Sequence, residues 1–160
     1  MTVNTVDTTE VNKDFVARLM AVQAFYQMIH NKKPMRVVVA ELLDRGLVTN
    51  EDESFDESQS EFLDIRPNGG LFKKILFNLD ERYPEIQDIL DCHTKERHLE
   101  SLLKSVLLCG ICEILVHTET DVAIILNDYL NVTHEFYDQK QVSFVNGVLD
   151  AIAKLLREAA

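Results

Sequence analysis

The chain of 160 residues is long enough for one domain with a substantial core and too short for two ordinary domains. Its 5 glycines and 3 prolines supply too few turns for a β-sandwich or a β-barrel, so long helices joined by few connections are expected. The formal net charge of −11 disfavours nucleic acid as a partner, because affinity for a phosphate backbone depends on lysine and arginine. The charges are unevenly distributed, since residues 13–36 hold five basic residues and one acidic residue, whereas residues 51–64 hold seven acidic residues and no basic one. A basic surface is therefore compatible with the acidic total.

The N-terminal part of the chain predicts a leader followed by two helices. Residues 1–11, rich in Thr, Val and acidic side chains, are typical of a flexible leader. Asn12 is a predicted N-cap, and the helix that follows is predicted to end before Pro34. The second helix is predicted from about Met35 to Arg45, with Gly46 as its C-terminal cap. The first helix is identified by apolar residues at spacings of four and three, namely Phe15, Leu19, Val22, Tyr26 and Ile29.

The rest of the chain predicts an acidic loop and further helices. Residues 51–64 are expected to form a solvated loop, and the string Pro67-Asn68-Gly69-Gly70 predicts a turn or kink. Another helix carries Phe72, Ile75, Leu76 and Leu79, and Pro84 fits the first turn of the next. Helical patterns follow at 97–117, 120–136 and 141–157. The prediction is an all-α bundle of about seven helices, a single domain at 12–158 with halves at about 12–83 and 84–158.

Few residues point to catalysis or metal binding. Cys109 and Cys112 have CxxC spacing, which occurs in redox sites and in half of a zinc site, but they lie in the most apolar part of the chain. Packing is therefore the favoured interpretation, with metal or redox chemistry as the alternative. His134 and Glu135 begin a zinc-protease motif that lacks its second histidine. No enzymatic activity, metal or cofactor is predicted.

The cysteine usage and the apolar stretches bear on the compartment. Three cysteines are too few for a disulfide framework, and no signal-like segment opens the chain. The longest apolar stretch, 106–116, is interrupted by Glu113 and is too short to span a bilayer. A cytoplasmic protein without a membrane partner is expected.

Two polar residues lie within apolar helical patterns. Glu113 stands between Cys112 and Ile114, and Asn127 follows an Ile-Ile-Leu run. Both are expected to be at least partly shielded, and a shielded polar group must be hydrogen-bonded. They are predicted either to tie helices to each other or to organise a partner-binding surface.

Four strings in chain order resemble those of one family. Residues 144–150 read FVNGVLD, which resembles the closing signature of the NusB transcription antitermination family. Residues 124–128 (IILND) resemble that family's VINEA stretch, and residues 112–115 (CEIL) resemble its YELL element. Residues 21–27 (AVQAFYQ) resemble its ALQALYQ helix. The spacing of the four strings is also similar to that of the family.

The resemblance implies two small helical subdomains and a non-enzymatic role. NusB proteins pair with NusE, a small-subunit ribosomal protein, and together hold the boxA segment of nascent leader RNA. The pair joins the antitermination complex of RNA polymerase on ribosomal RNA operons. By position, the resemblance assigns Tyr26 and Lys104 to the NusE surface. It assigns the RNA surface to Lys13, Arg18, Lys140 and Phe144.

The sequence departs from the family where RNA binding is concerned. The family has an arginine-rich motif before the ALQALYQ helix, whereas residues 12–18 hold only Lys13 and Arg18 as cations. Each missing phosphate contact lowers the salt-dependent affinity. Lys140 and the cations at 32, 33 and 36 are candidates to restore charge, and Phe144 is either a base-stacking residue or a core anchor. Lys13, Arg18 and Lys140 are expected to converge on one surface.

Three functions follow from these features. The first is an antitermination factor that binds boxA-type RNA jointly with NusE. The alternative is a NusB-fold protein-interaction adaptor that has lost most intrinsic RNA binding, which the charge of −11 favours. An accessory domain of an RNA cytosine methyltransferase is less favoured, because no glycine-rich cofactor loop is present. The sequence leaves open whether the protein is a monomer or a homodimer.

Overall fold

The fold is built from α-helices throughout the part of the chain that the structure describes. The computed structural model describes residues 4–45, 67–94 and 98–157. Within these ranges the all-α prediction is confirmed, whereas the predicted acidic loop at 51–64 and the cap at Gly46 lie outside them. The helices are α1 (Asn4–His30), α2 (Met35–Arg45), α3 (Gly69–Glu81), α4 (Tyr83–His93), α5 (Ser101–Val116), α6 (Val122–Phe136) and α7 (Gln139–Arg157).

The chain divides into two compact units, Met1–Lys73 and Lys74–Ala160. The division falls within α3, earlier than the predicted boundary between 83 and 84. In the first unit α1 packs against α2. In the second unit α5, α6 and α7 pack against one another, and α4 packs against α5 and α7. None of the helices in the described ranges is long and apolar enough to cross a membrane.

The start of α1 differs from the prediction. The helix begins at Asn4, so Asn12 lies inside it and is not an N-cap. Residues 4–11, predicted as part of a flexible leader, belong to the helix. Extension of an existing helix adds one hydrogen bond for each residue fixed, whereas a new helix must first nucleate. The weak helix propensity of Thr and Val in this segment is a small bias that propagation overrides.

The buried face of α1 is rotated relative to the predicted apolar stripe. Of the five predicted positions only Val22 is buried, and the other four are half-buried. Alanine allows close approach of a neighbouring helix and contributes little to a hydropathy pattern, so this face is hard to detect by sequence. Its residues are Ala17, Arg18, Met20, Ala21, Val22, Ala24 and Phe25.

Asn68 joins the start of α3 to α1. The backbone N–H of Leu71 donates to Asn68 Oδ1 at 3.1 Å, which makes Asn68 the N-cap of α3. The Asn68 side-chain amide donates to Asp14 Oδ1 at 3.0 Å, and its backbone N–H donates to the carbonyl oxygen of Lys13 at 3.1 Å. The segment predicted as a turn or kink therefore contains a helix cap. Of the three hydrogen bonds of Asn68 described here, two are to residues of α1.

The helices of the second unit follow the predicted patterns closely. Pro84 lies in the first turn of α4, as predicted. Helices α5, α6 and α7 each lie inside or close to the predicted ranges. α5 and α7 approach closely at Gly110, where an added Cβ would lie 2.9 Å from Cδ1 of Leu149. A residue without a side chain at Gly110 therefore permits the contact between these two helices.

Candidate functional site

The predicted RNA contacts in α1 are Lys13 and Arg18, and they differ in accessibility. Lys13 is exposed, one residue before Asp14, whose carboxylate accepts from Asn68. Arg18 is only 3% exposed and interacts with other groups of the protein. A buried guanidinium must be held by protein partners, because an unpaired buried charge is costly. The structure thus places Lys13 at the surface and Arg18 in the interior, contrary to the expectation of two surface cations.

The predicted RNA contacts in α7 share one face of that helix. Lys140 is exposed in the first turn, and Phe144 follows it at a spacing of four, which places the two residues on the same side. Phe144 is half-buried and has a contact of its own within the protein. Half-burial is compatible with both interpretations of Phe144, an anchor of α7 and a ring on which a base stacks. The convergence of Lys140 with Lys13 involves both units and stays a prediction.

The predicted NusE contacts are both half-buried. Tyr26, in the first unit, stacks its ring on that of His30, with the centroids 5.0 Å apart and the planes at 11°. Lys104 lies in the first turn of α5, in the second unit, and its amino group has no ion-pair partner among the described residues. Both side chains retain exposed surface that a partner could cover.

The CxxC thiols are enclosed in the core of the second unit. Cys109 and Cys112 are buried, and the Sγ of Cys112 donates to the carbonyl oxygen of Ile75 at 3.7 Å. Burial raises the pKa of Cys112 to about 12 and that of Cys109 well above its ordinary value. Thiols with such pKa values stay protonated, whereas a metal ligand or a redox nucleophile must be a thiolate. Among the described residues no group of three or more His, Cys, Asp and Glu could hold a metal ion. These observations support packing as the role of both thiols.

Glu113 is the centre of a buried polar cluster that links α5 to α6. Its side chain is fully buried, as the sequence indicated. The Tyr129 hydroxyl donates to Oε2 of Glu113 at 2.6 Å, and Nδ1 of His117 lies 3.0 Å from Oε1. Both carboxyl oxygens are thus hydrogen-bonded, which offsets the desolvation of the group. These contacts support the prediction that Glu113 ties helices to each other.

Arg157, near the end of α7, caps the C-terminus of α5. Its Nε donates to the carbonyl oxygen of Ile114 at 2.8 Å, and its Nη2 donates to that of His117 at 3.0 Å. Its Nη1 reaches the carbonyl oxygen of Thr120 at 3.0 Å, in the connection to α6. A guanidinium at this position satisfies carbonyl groups that the helix leaves free and complements the negative end of its dipole. No pattern in the sequence indicates this contact.

Asn127 is not shielded within α6 as the sequence predicted. It is exposed, and the next residue, Asp128, is buried. The Ile-Ile-Leu run before Asn127 wraps around α6, and Ile124 in that run is 50% exposed. The apolar run therefore did not mark the buried face, and the prediction that Asn127 is shielded is wrong.

Comparison with known proteins identifies the family to which this helical chain belongs. A family model described as the NusB family matches residues 15–154. The chain belongs to the NusB family. The resemblance seen in the four strings is thereby confirmed.

Relatives within the NusB family are similar along most of their length. The chain is 29% identical over 150 residues to the transcription antitermination protein NusB of Rickettsia massiliae (strain Mtu5), covering 91% of this chain and 94% of that one. It is 28% identical over 145 residues to the protein of the same name from Rickettsia bellii (strain OSU 85-389), with coverages of 90% and 92%.

Solved structures share the fold. One is the crystal structure of antitermination factors NusB and NusE in complex with dsRNA, with a TM-score of 0.71, 20% identity, and coverages of 88% of this chain and 96% of that chain. Another is the crystal structure of a plectonemic RNA supercoil, with a TM-score of 0.73, 21% identity, and coverages of 91% and 97%. At these identities the likeness establishes the NusB fold.

The NusB-like strings of this chain are largely structural. In the closing signature, Val145, Val148 and Leu149 are buried and form part of the core, whereas Asn146 and Gly147 are exposed. The signature therefore identifies how α7 packs. Five of the six predicted contact residues, by contrast, are exposed or half-buried, and only Arg18 is buried. The resemblance therefore specifies the fold more sharply than the predicted site.

Proposed function

We propose that this NusB-family protein is a transcription antitermination factor of the cytoplasm, which binds boxA-type leader RNA of ribosomal RNA operons together with NusE. The family match over residues 15–154 is the observation that carries the proposal. Relatives of similar length bear the name transcription antitermination protein NusB, and a structure of similar fold was solved with NusE and dsRNA. The role consists of binding and assembly with the RNA polymerase complex, and it requires no catalytic step.

The proposed RNA contacts are Lys13, Lys140 and Phe144. Both lysines are exposed and have no ion-pair partner among the described residues, so their charges are available to phosphates. Phe144 lies on the Lys140 side of α7, where its ring is placed to stack on a base next to a bound phosphate. Tyr26 and Lys104 are the proposed NusE contacts, because each keeps part of its side chain exposed.

The burial of Arg18 defines the second candidate function. With Arg18 inside the protein, the start of α1 offers fewer cations than the family pattern implies. The isolated protein is therefore expected to bind RNA weakly, and NusE supplies the remaining affinity. In the alternative, a protein-interaction adaptor, NusE binding persists and RNA binding is absent. The net charge of −11 and the burial of Arg18 favour this alternative.

Fluorescence anisotropy with a labelled single-stranded boxA RNA separates the two functions. The antitermination factor predicts that the complex with NusE binds the RNA more tightly than either protein alone, and more tightly than a scrambled RNA. The adaptor predicts that NusE is captured in a pulldown but that its RNA affinity does not change. Absence of both NusE binding and RNA binding would refute both.

A matched pair of variants in α7 tests the proposed contact. Lys140→Ala and Lys154→Ala each remove one positive charge from the same helix. Lys154 is already paired with Asp150 at 3.2 Å, whereas Lys140 has no such partner among the described residues. We expect Lys140→Ala to weaken RNA binding by the NusE complex several-fold and to lower its salt dependence, while Lys154→Ala leaves both unchanged. Equal effects of the two variants would exclude Lys140 as a specific contact.

A further inference from the structure

The connection between α1 and α2 and the helix ends beside it carry basic residues that the proposed RNA surface does not include. We call the set His30, Lys32, Lys33 and Arg36 the basic turn. His30, Lys32 and Arg36 are exposed, and Lys33 is half-buried. Lys33 is paired with Glu41 at 3.2 Å, whereas Lys32 and Arg36 form no ion pair with any residue that the structure describes. Two positive charges of the basic turn are thus available to a ligand.

Lys32 adopts a backbone conformation that disfavours its own residue type. Its φ of 58° lies in the left-handed region, and it is the one non-glycine residue with positive φ within the described ranges. It follows the end of α1, where the backbone N–H of Asn31 donates to the carbonyl oxygen of Gln27 at 2.9 Å. Glycine is common just beyond a helix end because it lacks the Cβ that crowds this conformation. Local stability therefore does not explain a lysine at position 32.

Arg36 is also placed against local stability. It lies in the first turn of α2, which holds no acidic residue. The positive end of the helix dipole repels a cation in this turn. Lys32 and Arg36 are thus both locally unfavourable, and both place a positive charge on the surface. Exposed charges that do not stabilise the fold are expected where they bind a partner.

An aromatic ring, that of His30, precedes Lys32 by two residues in the chain. His30, one turn beyond Tyr26 in α1, is stacked on the Tyr26 ring at 5.0 Å and 11°. The stack limits the orientations of the His30 side chain, which remains exposed. Exposed rings next to cations are the elements of sites for single-stranded nucleic acid, in which rings stack on bases and cations bind phosphates.

We infer that the basic turn is a second RNA contact of this protein, in which Lys32 and Arg36 bind phosphates of a single strand and His30 stacks on a base. The inference rests on the proposed function, and it supplies cations that the interior position of Arg18 removes from the surface. An acidic protein partner is the competing occupant. Phosphates are favoured over it because the ring and the unpaired cations occur together.

The test compares two double variants with equal changes in charge. Lys32→Gln with Arg36→Gln removes both free cations of the basic turn, and Lys73→Gln with Lys74→Gln removes two exposed lysines of α3. Affinity of the NusE complex for boxA RNA is measured by anisotropy from 50 to 500 mM salt. Two lost single-strand phosphate contacts reduce the slope of log affinity against log salt by about 1.4, which weakens binding roughly 60-fold near 50 mM and little near 1 M. The α3 variant is expected to keep the wild-type slope.

Three results would overturn the inference, and they are distinguishable. Equal slopes for the two double variants would show that only net charge matters. Loss of NusE capture with no change in the RNA slope would assign the basic turn to a protein partner. Failure of the wild-type complex to bind the RNA would refute the proposed function itself.

A second variant guards against misfolding as the cause of lost binding. Lys32→Gly removes the charge and also relieves the left-handed lysine, so the variant is expected to melt above the wild type while binding RNA more weakly. A more stable protein that binds less tightly cannot be explained by unfolding. Wild-type RNA affinity in this variant would contradict the role of Lys32.

Discussion

The hydrogen bond from Tyr129 to Glu113 is a sensitive point of the second unit. Tyr129→Phe removes only the hydroxyl, which donates to Oε2 of Glu113 at 2.6 Å. Both residues are fully buried, so water does not reach this hydrogen bond. The variant keeps the ring packing but takes one partner from a fully buried carboxyl group. A buried polar group that loses its partner costs about 2 kcal/mol, within the span of about 1–3 kcal/mol for such losses. For a chain of this size the loss corresponds to a fall in Tm of about 6 °C.

Tyr137→Phe is the matched control. The Tyr137 hydroxyl also donates to a carboxylate, that of Glu100, but this contact is exposed to solvent. Water replaces the lost partner there, so the free energy of unfolding should change by less than about 0.5 kcal/mol. Both variants are measured by thermal and urea unfolding followed by circular dichroism. Equal losses for the two variants, or no loss for Tyr129→Phe, would refute the argument that burial makes the Glu113 cluster costly to disrupt.

Four further outcomes are expected. Arg157→Ala should lower the free energy of unfolding by about 2 kcal/mol, because carbonyl oxygens at the end of α5 lose their donors. Arg157→Lys keeps the charge but lacks the planar guanidinium, so it should retain only part of the lost stability. Wild-type stability of Arg157→Lys would show that the charge alone suffices. Arg18→Ala should destabilise the fold by about 3 kcal/mol in urea unfolding, given that Arg18 is buried; a stable variant with weakened RNA binding would instead make it an RNA contact. Burial raises the pKa of Cys112 from 9.0 to about 12, so as the pH rises this thiol ionises in the unfolded chain before it ionises in the folded protein. The contribution of Cys112 to stability is therefore complete below about pH 9 and is lost between about pH 9 and 12. In unfolding measured against pH, Cys112→Ala should make that fall shallower, and an unchanged profile would contradict a raised pKa of Cys112. Lys32→Gly should stabilise the protein by about 1 kcal/mol, or about 3 °C in Tm, by calorimetry, and a lower Tm would argue against strain at that residue.

The sequence predicted helices well where apolar periodicity and breakers agree. Both ends of α2 were placed correctly, since Pro34 precedes it and Gly46 follows it. Pro84 likewise located the first turn of α4. The start of α1 was misplaced because Asn12 has the chemistry of a cap, and side-chain chemistry alone does not show whether a helix extends past a capping residue.

Side-chain positions were harder to predict where the apolar pattern runs around a helix. The family resemblance assigns Arg18 to the RNA surface, yet Arg18 is buried on a face that includes Ala21 and Ala24, whose small side chains give little signal. Asn127 was placed inside by its apolar neighbours, one residue away from the buried Asp128. Glu113 was located correctly, because apolar residues flank it on all sides of α5.

Some contacts leave no signal in the sequence, whereas others follow from a local pattern. The carbonyl contacts of Arg157 depend on how α7 lies against α5, which no local pattern encodes. The cap at Asn68 was detectable, because asparagine directly before a helix start is a favoured capping residue.

Asn68 has a consequence for how the protein can change over evolutionary time. Its links to Lys13 and Asp14 tether the beginning of α3 directly to α1, across all the residues that separate them in the chain. These contacts involve only Lys13, Asp14 and Asn68, so substitution of the seven acidic residues at 51–64, which contribute much of the net charge, removes none of them. Overall charge and the attachment of α3 to α1 are in this way open to independent selection.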